Sequence, residues 1–289
     1  MAVDLQKLKR KMRGVSSTRQ VTRALQMVSS IKMRKARDQA GQSRVYRQYL
    51  QELMETFETS PSEVFPELAV SDSGQAILVV VFASDRGLCG PYNTNILHAV
   101  ATRAAEIGRD HLDLVVAGRK VGATLARRGY TLLSRGLRPD ESESELFLRD
   151  LSRDLLQHWQ SGRYRRVDLL YSSLEGMTVL KPAYRTWLPI ASDGEGAGKT
   201  ARAGGNYIDE PVPDEVLRQS VLRLLSNELL SAYLQSEASE QVARMVAMDN
   251  ATRNADELFS SLQLTYNKAR QAKITQEICE IVSGANAIG

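Results

Sequence analysis

The stretch "MDNATRNADELFSSLQLTYNKARQAKITQEICEIVSG", residues 248–284, keeps a helical pattern up to its final glycine. Within it Met248, Ala251, Ala255, Leu258, Leu262, Thr265, Ala269 and Ala272 alternate at steps of three and four. That spacing predicts a coiled-coil seam, and its small side chains predict a partner helix lying close. Followed toward the N-terminus, the pattern does not break: from Asp214 to Ser283, 70 residues, there is neither Gly nor Pro. The preceding "PVPDEV" supplies a helix start, because proline's fixed φ and the acidic residues behind it suit the first turn. Gly284 supplies a stop. A helix of that length reaches about 105 Å at 1.5 Å per residue, which no compact domain buries end to end. It needs another helix.

The opening of the chain offers one. Residues 1–60 contain no Pro and two Gly, at positions 14 and 41. Val21, Leu25, Val28 and Ile31, then Val45, Tyr49, Leu53 and Phe57, predict an amphipathic helix whose apolar face pairs with the C-terminal one. Gly14, followed by Ser16, Ser17 and Thr18, is its weak point, and Pro61 and Pro66 end it.

Residues 74–190 read differently. "AILVVVFAS" (76–84) is a continuous apolar, β-branched run, as expected of a strand covered on both faces. "DLVVAG" (113–118), "YTLLSRGL" (130–137), "VDLLYSS" (167–173) and "AYRTWLPI" (183–190) predict further strands, with helices near 93–108, 119–128 and 143–161. Such alternation predicts a Rossmann-like open α/β sheet, at least partly parallel. The organisation is thus an N-terminal stalk helix (1–60), an α/β domain (74–190), a linker (191–210) and a long C-terminal stalk helix (211–289). Both chain ends would form one antiparallel coiled coil.

Residues arranged for chemistry are few. "GAGKT" in "SDGEGAGKTARAGG" (192–205) fails as a phosphate loop, since Asp193 stands where the first glycine is needed and no βαβ unit resumes after it. The loop "ASDRGLCGPYNTN" (83–95) follows the first strand, where doubly wound folds bind ligands, but its glycines are spaced G-x-x-G and Pro91 stands at the helix start. Asp85 and Arg86 are expected to order that loop by pairing. Cys89 and Cys279 are the only cysteines, without metal spacing, and His98, His111 and His158 are scattered. No catalytic residue, cofactor or metal site is expected. The longest strongly apolar run, Ala76 to Ala83, is too short to span a bilayer, and no secretory signal is read. Net charge is +4, yet eleven Lys and Arg and no Asp or Glu lie between Lys7 and Arg37. Such a basic helix suits a nucleic acid, a membrane surface or an acidic protein rim.

Five stretches together resemble one family. They are "TRQVTRALQMVSSIKMRKA" (18–36), "SDRGLCGPYNTN" (84–95), "ASEQVARMVAM" (238–248), "MDNATRNADEL" (248–258) and "YNKARQAKITQEICEIVSGA" (266–285). The chain is similar, in order and over its whole length, to the gamma subunit of F-type ATP synthases. It departs at Pro91 and Tyr92, at Leu25 where Met is common, and in its "GANAIG" ending; no dithiol-bearing insert is present. The resemblance implies a non-catalytic central-stalk rotor that couples ion flow to ATP synthesis. Its implied partners are three alpha and three beta subunits, an epsilon subunit and the membrane c ring. Its implied place is peripheral, on the cytoplasmic side of a bacterial plasma membrane, without bilayer insertion. By position, Leu25, Arg244, Arg270, Gln271, Thr275, Glu277 and Glu280 resemble contacts to a beta subunit, while Tyr207 and Glu210 resemble the foot on the rotor ring and epsilon. The plainer expectation for the charged residues is i,i+4 pairing such as Arg253–Glu257. Two other classes stand beside this: a nucleotide-using α/β enzyme built on the 84–95 loop, and a nucleic-acid-binding coiled coil built on the basic helix.

Overall fold

A computed structural model describes residues 5–54, 57, 61–69, 74–136, 143–175, 179–190 and 213–288. The chain divides into two compact units, one made of residues 31–243 and one that joins residues 1–30 to residues 244–289.

The larger unit is built on a five-stranded sheet. Its strands are β1 (Ala76–Phe82), β2 (Leu112–Ala117), β3 (Thr131–Gly136), β4 (Tyr164–Glu175) and β5 (Val179–Leu188), in the order β3-β2-β1-β4-β5. β3, β2, β1 and β4 run parallel, and β5 returns antiparallel to β4. β1 is the central strand and all seven of its residues are buried, which accounts for its unbroken apolar run. Because side chains alternate across a strand, Ile77, Val79 and Val81 meet one helical layer and Leu78, Val80 and Phe82 the other. Helices α4 (Tyr92–Ile107) and α5 (Arg119–Arg127) cover the first face through Ile96, Val100, Val121 and Leu125. Helix α6 (Ser144–Gln160) covers the second through Leu148, Leu151, Leu155 and Trp159. Beside it lies the N-terminal half of helix α7 (Pro213–Ile288), whose Leu217, Val221, Leu225, Leu229 and Tyr233 fall on one stripe. Each such side chain contributes about 1.5–3 kcal/mol when fully buried.

The N-terminal helix α1 spans Leu5–Met54, short of the expected end at residue 60. Pro61 and Pro66 do more than end it. Each begins a one-turn helix, α2 (Pro61–Val64) and α3 (Pro66–Ala69), because a proline at the first helical position sacrifices no intrahelical bond. They seat Phe65 and Leu68 in the core, where Trp159 Nε1 donates to the Glu67 carbonyl at 2.7 Å. β5 begins at Val179, earlier than the expected 183, and runs through Pro182, which an edge strand tolerates. The linker and its "GAGKT", together with Tyr207 and Glu210, lie outside the described residues.

Buried charge in this unit is paired. Asp168 on β4 accepts from Arg103 at 3.1 Å, from Arg166 at 2.7 Å and from Thr186 at 3.2 Å. Burial pushes its carboxyl above the ordinary range, against the pull of the Arg103 guanidinium.

Candidate functional site

In the unit formed by the chain ends, polar rungs join α1 and α7 at three levels among the described residues. Arg19 reaches Asp256 at 2.8 Å, Thr22 Oγ1 lies 2.7 Å from Thr252 Oγ1, and Gln26 Nε2 donates to Asp249 at 2.9 Å. The partners descend on one helix as they ascend on the other, so the pair is antiparallel. Their register, carried outward, brings Leu5 level with Ala269. The inward positions of α1 here are Leu5, Leu8, Met12, Val15, Arg19, Thr22, Gln26 and Ser29, an unbroken 3-4 repeat. On α7 the matching positions are Met248, Thr252, Ala255, Phe259, Leu262, Tyr266 and Ala269.

Both seams correct the expected ones. Val21, Val28 and Ile31 are exposed, Ile31 at 70%, whereas Ser29 between them is exposed by only 2%. Leu25 is half-buried. On α7, Met248 and Ala255 are buried and Ala251, Leu262 and Ala269 half-buried, but Leu258, Thr265 and Ala272 face solvent. Their places are taken by Phe259 and Tyr266, one residue and so about 100° further round the helix. The apolar pattern alone cannot see a seam whose hydroxyl and amide groups bond across it. The readable sign was the 3-4 repeat of Arg19, Thr22, Gln26 and Ser29, polar throughout.

Past Ala269 the helix changes character: from Arg270 to Ser283 every side chain of α7 is exposed. Among the described residues, four of those read as contacts by position, Gln271, Thr275, Glu277 and Glu280, carry only local bonds. Thr275 Oγ1 donates to the Gln271 carbonyl at 3.0 Å, Lys273 lies 3.7 Å from Glu277, and Gln276 donates to Glu280 at 2.9 Å. Ile274, Ile278, Ile281 and Val282 are exposed beside them. Arg244, further back, is half-buried. Arg253 pairs backward with Asp249 at 2.8 Å rather than forward with Glu257, because Asp249 is already held in place by Gln26.

In the larger unit the N-terminal half of α7 is tied into the sheet by bonds that sequence reading missed. Tyr92 OH lies 2.5 Å from Ser236 Oγ, which reaches the Phe82 carbonyl at the end of β1 at 3.0 Å. Ser239 Oγ donates to the Ser172 carbonyl of β4 at 2.7 Å. Glu228 receives Arg47 from α1 at 3.2 Å and Arg185 from β5 at 2.7 Å. Trp187 Nε1 donates to the Leu225 carbonyl at 2.9 Å. These groups grip α7 at several points along its length.

The loop after β1 is filled by its own side chains. Ser84 Oγ lies 2.8 Å from both Asn93 Oδ1 and the Arg86 carbonyl, and Asn93 Nδ2 donates to the buried Cys89 sulfur at 3.4 Å. Asp85 accepts from the backbone N–H of Arg119, at the start of α5, at 2.7 Å. Gly118, at φ +149, lets that start approach β1, since a Cβ there would meet the Ala83 carbonyl oxygen at 2.7 Å. The loop thus spends its polar groups on its own packing, which does not favour a nucleotide-using enzyme.

Comparison with known proteins covers nearly the whole chain. Residues 4–288 match the family model described as ATP synthase. The chain is 37% identical over 293 residues to the ATP synthase gamma chain of Chlorobaculum tepidum and 35% identical over 286 residues to that of Heliobacterium modesticaldum, covering 98% of each chain in both cases. Among solved structures, it superposes with a TM-score of 0.69 and 21% identity on a chain of the Euglena gracilis mitochondrial ATP synthase, covering 98% of this chain and 94% of that one. At that identity the likeness bears on the fold.

Proposed function

The chain belongs to the ATP synthase gamma-chain family, as a non-catalytic central-stalk rotor subunit, and from that premise we propose how its parts divide the work. The larger unit receives torque at the membrane c ring and an epsilon subunit, with Tyr207 and Glu210 as the foot. The C-terminal segment of α7 delivers it to a head of three alpha and three beta subunits. Arg270, Gln271, Thr275, Glu277 and Glu280, with Leu25 and Arg244 further back, engage one beta subunit at a time. The basic run Lys7–Arg37 faces acidic groups of that head. The complex sits on the cytoplasmic side of a bacterial plasma membrane, with this chain peripheral to it. Among the described residues no helix is long and apolar enough to cross a membrane.

The observation that carries this reading is the asymmetry of α7. It is one helix of 76 residues. Its N-terminal half is buried on the sheet and cross-bonded through Glu228, Ser236 and Ser239, whereas residues 270–283 are bare. An isolated helix that long with no packing at one end gains nothing from its own fold there, since helices in water draw most of their stability from packing. The bare end is built to be packed by other chains. Each hydrogen bond made there contributes about 0.5–1.5 kcal/mol, or 1.5–3 when charged, which is small enough to break on every turn.

Copurification tests the reading. The tagged chain, expressed with alpha and beta subunits, should recover both in threefold excess over itself. A variant ending at Ala269 should recover markedly less or lose coupling; equal recovery together with full ATP-driven pumping by that variant would contradict the reading.

A further inference from the structure

On α1 the three rungs start from seam positions, Arg19, Thr22 and Gln26, that are ordinarily apolar in a two-stranded coil. Thr22 is buried; its hydroxyl lies 3.0 Å from the Arg19 carbonyl on its own helix and 2.7 Å from Thr252 Oγ1 across the pair, and Thr252 Oγ1 lies 2.8 Å from the Met248 carbonyl, so one of the two hydroxyls donates across the seam while the other bonds its own backbone. Gln26 finds Asp249 one turn away, and Arg19 finds Asp256 one turn the other way while lying 5.7 Å from the Phe259 ring centroid. Polar partners thus meet at three successive levels in a single register. Shifting α7 by one heptad would set Thr22 against Phe259 or Met245 and break its bond to Thr252.

Twisting a two-stranded shaft forces one strand to slide along the other. Apolar contacts resist such sliding weakly, because hydrophobic attraction is non-directional. Hydrogen bonds resist it through their narrow range of length and angle. We propose that Arg19–Asp256, Thr22–Thr252 and Gln26–Asp249 are shear keys: positioning residues that hold α1 in register against α7 under torsional load, rather than supports of the folded state. This rests on the rotor reading for its use, but the register itself is a property of the free chain.

The test compares the triple variant Thr22→Val/Gln26→Leu/Thr252→Val with Thr22→Ser/Thr252→Ser, which keeps both hydroxyls. In the free full-length chain, carrying Cys279→Ser, spin labels at the exposed positions Arg23 and Asn250 report the pair's register. The proposal expects an unchanged or higher melting temperature for the triple variant with a distance distribution at least twice as wide, and wild-type width for the serine variant. In the assembled complex it expects the triple variant to keep its ATP hydrolysis rate while pumping per ATP falls at least twofold. An unchanged distance width overturns the proposal. So does loss of the melting transition, which would make the rungs structural supports. Failure of the wild-type chain to assemble or pump, with the label result intact, would instead count against the rotor reading.

Discussion

Ser43 and Asn227 exchange two hydrogen bonds at a buried point of the larger unit: Ser43 Oγ donates to Asn227 Oδ1 at 2.9 Å, and Asn227 Nδ2 donates to the Ser43 carbonyl at 3.0 Å. Neither side chain reaches solvent, so each is the other's means of satisfaction. They pin α1 to α7 at one level, and Glu228, the next residue along, adds Arg47 and Arg185.

Asn227→Leu should therefore destabilise the chain by about 1–3 kcal/mol, because it strands the buried Ser43 hydroxyl. Adding Ser43→Ala should recover part of that loss, giving a coupling of at least about 0.5 kcal/mol in a double-mutant cycle. Urea unfolding of the four proteins measures it. Strictly additive effects would mean that the two side chains do not depend on one another.

The seam register gives a second, paired prediction. Ala255 is buried between the helices, so Ala255→Leu should overpack it and lower stability by about 1–3 kcal/mol. Ala272 is exposed, so Ala272→Leu should leave the melting temperature nearly unchanged. Equal effects of the two substitutions would show that the register is wrong.

Much of this was legible in the residues. β1 declared itself because burial on both faces demands an unbroken apolar run, and Ala76–Phe82 is one. The α7 helix declared itself by the absence of Gly and Pro. The pairing register did not, for a physical reason. Val21, Val28 and Ile31 make the more apolar stripe of α1, but they stay exposed while Thr22 and Ser29 turn inward. Small side chains let the helices approach, and cross-helix bonds offset the burial of their polar atoms. The Glu228 and Ser236 ties were unreadable in another way, since each joins residues far apart in sequence, 181 positions in the case of Arg47 and Glu228.

Glu228→Gln should weaken the joint between α7 and its unit. One carboxylate serves two guanidinium groups, both partly exposed, so the loss should be about 1–3 kcal/mol. In the assembled complex the same change should lower pumping per ATP more than hydrolysis itself. The comparison of those two rates checks it; a proportional fall in both would assign Glu228 to folding alone.

The central claim is that the bare C-terminal segment of α7 passes torque through many small, reversible contacts. Steady-state ATP hydrolysis and ATP-driven pumping should be measured in the assembled enzyme with Gln271→Ala, Thr275→Ala and the double variant. Each single substitution is predicted to lower turnover in a graded way, as expected for bonds contributing about 0.5–1.5 kcal/mol, and the double should fall further than the two parts imply if they share one network. Full rate and full coupling in all three would contradict the account and leave torque to be carried by the shape of the shaft alone.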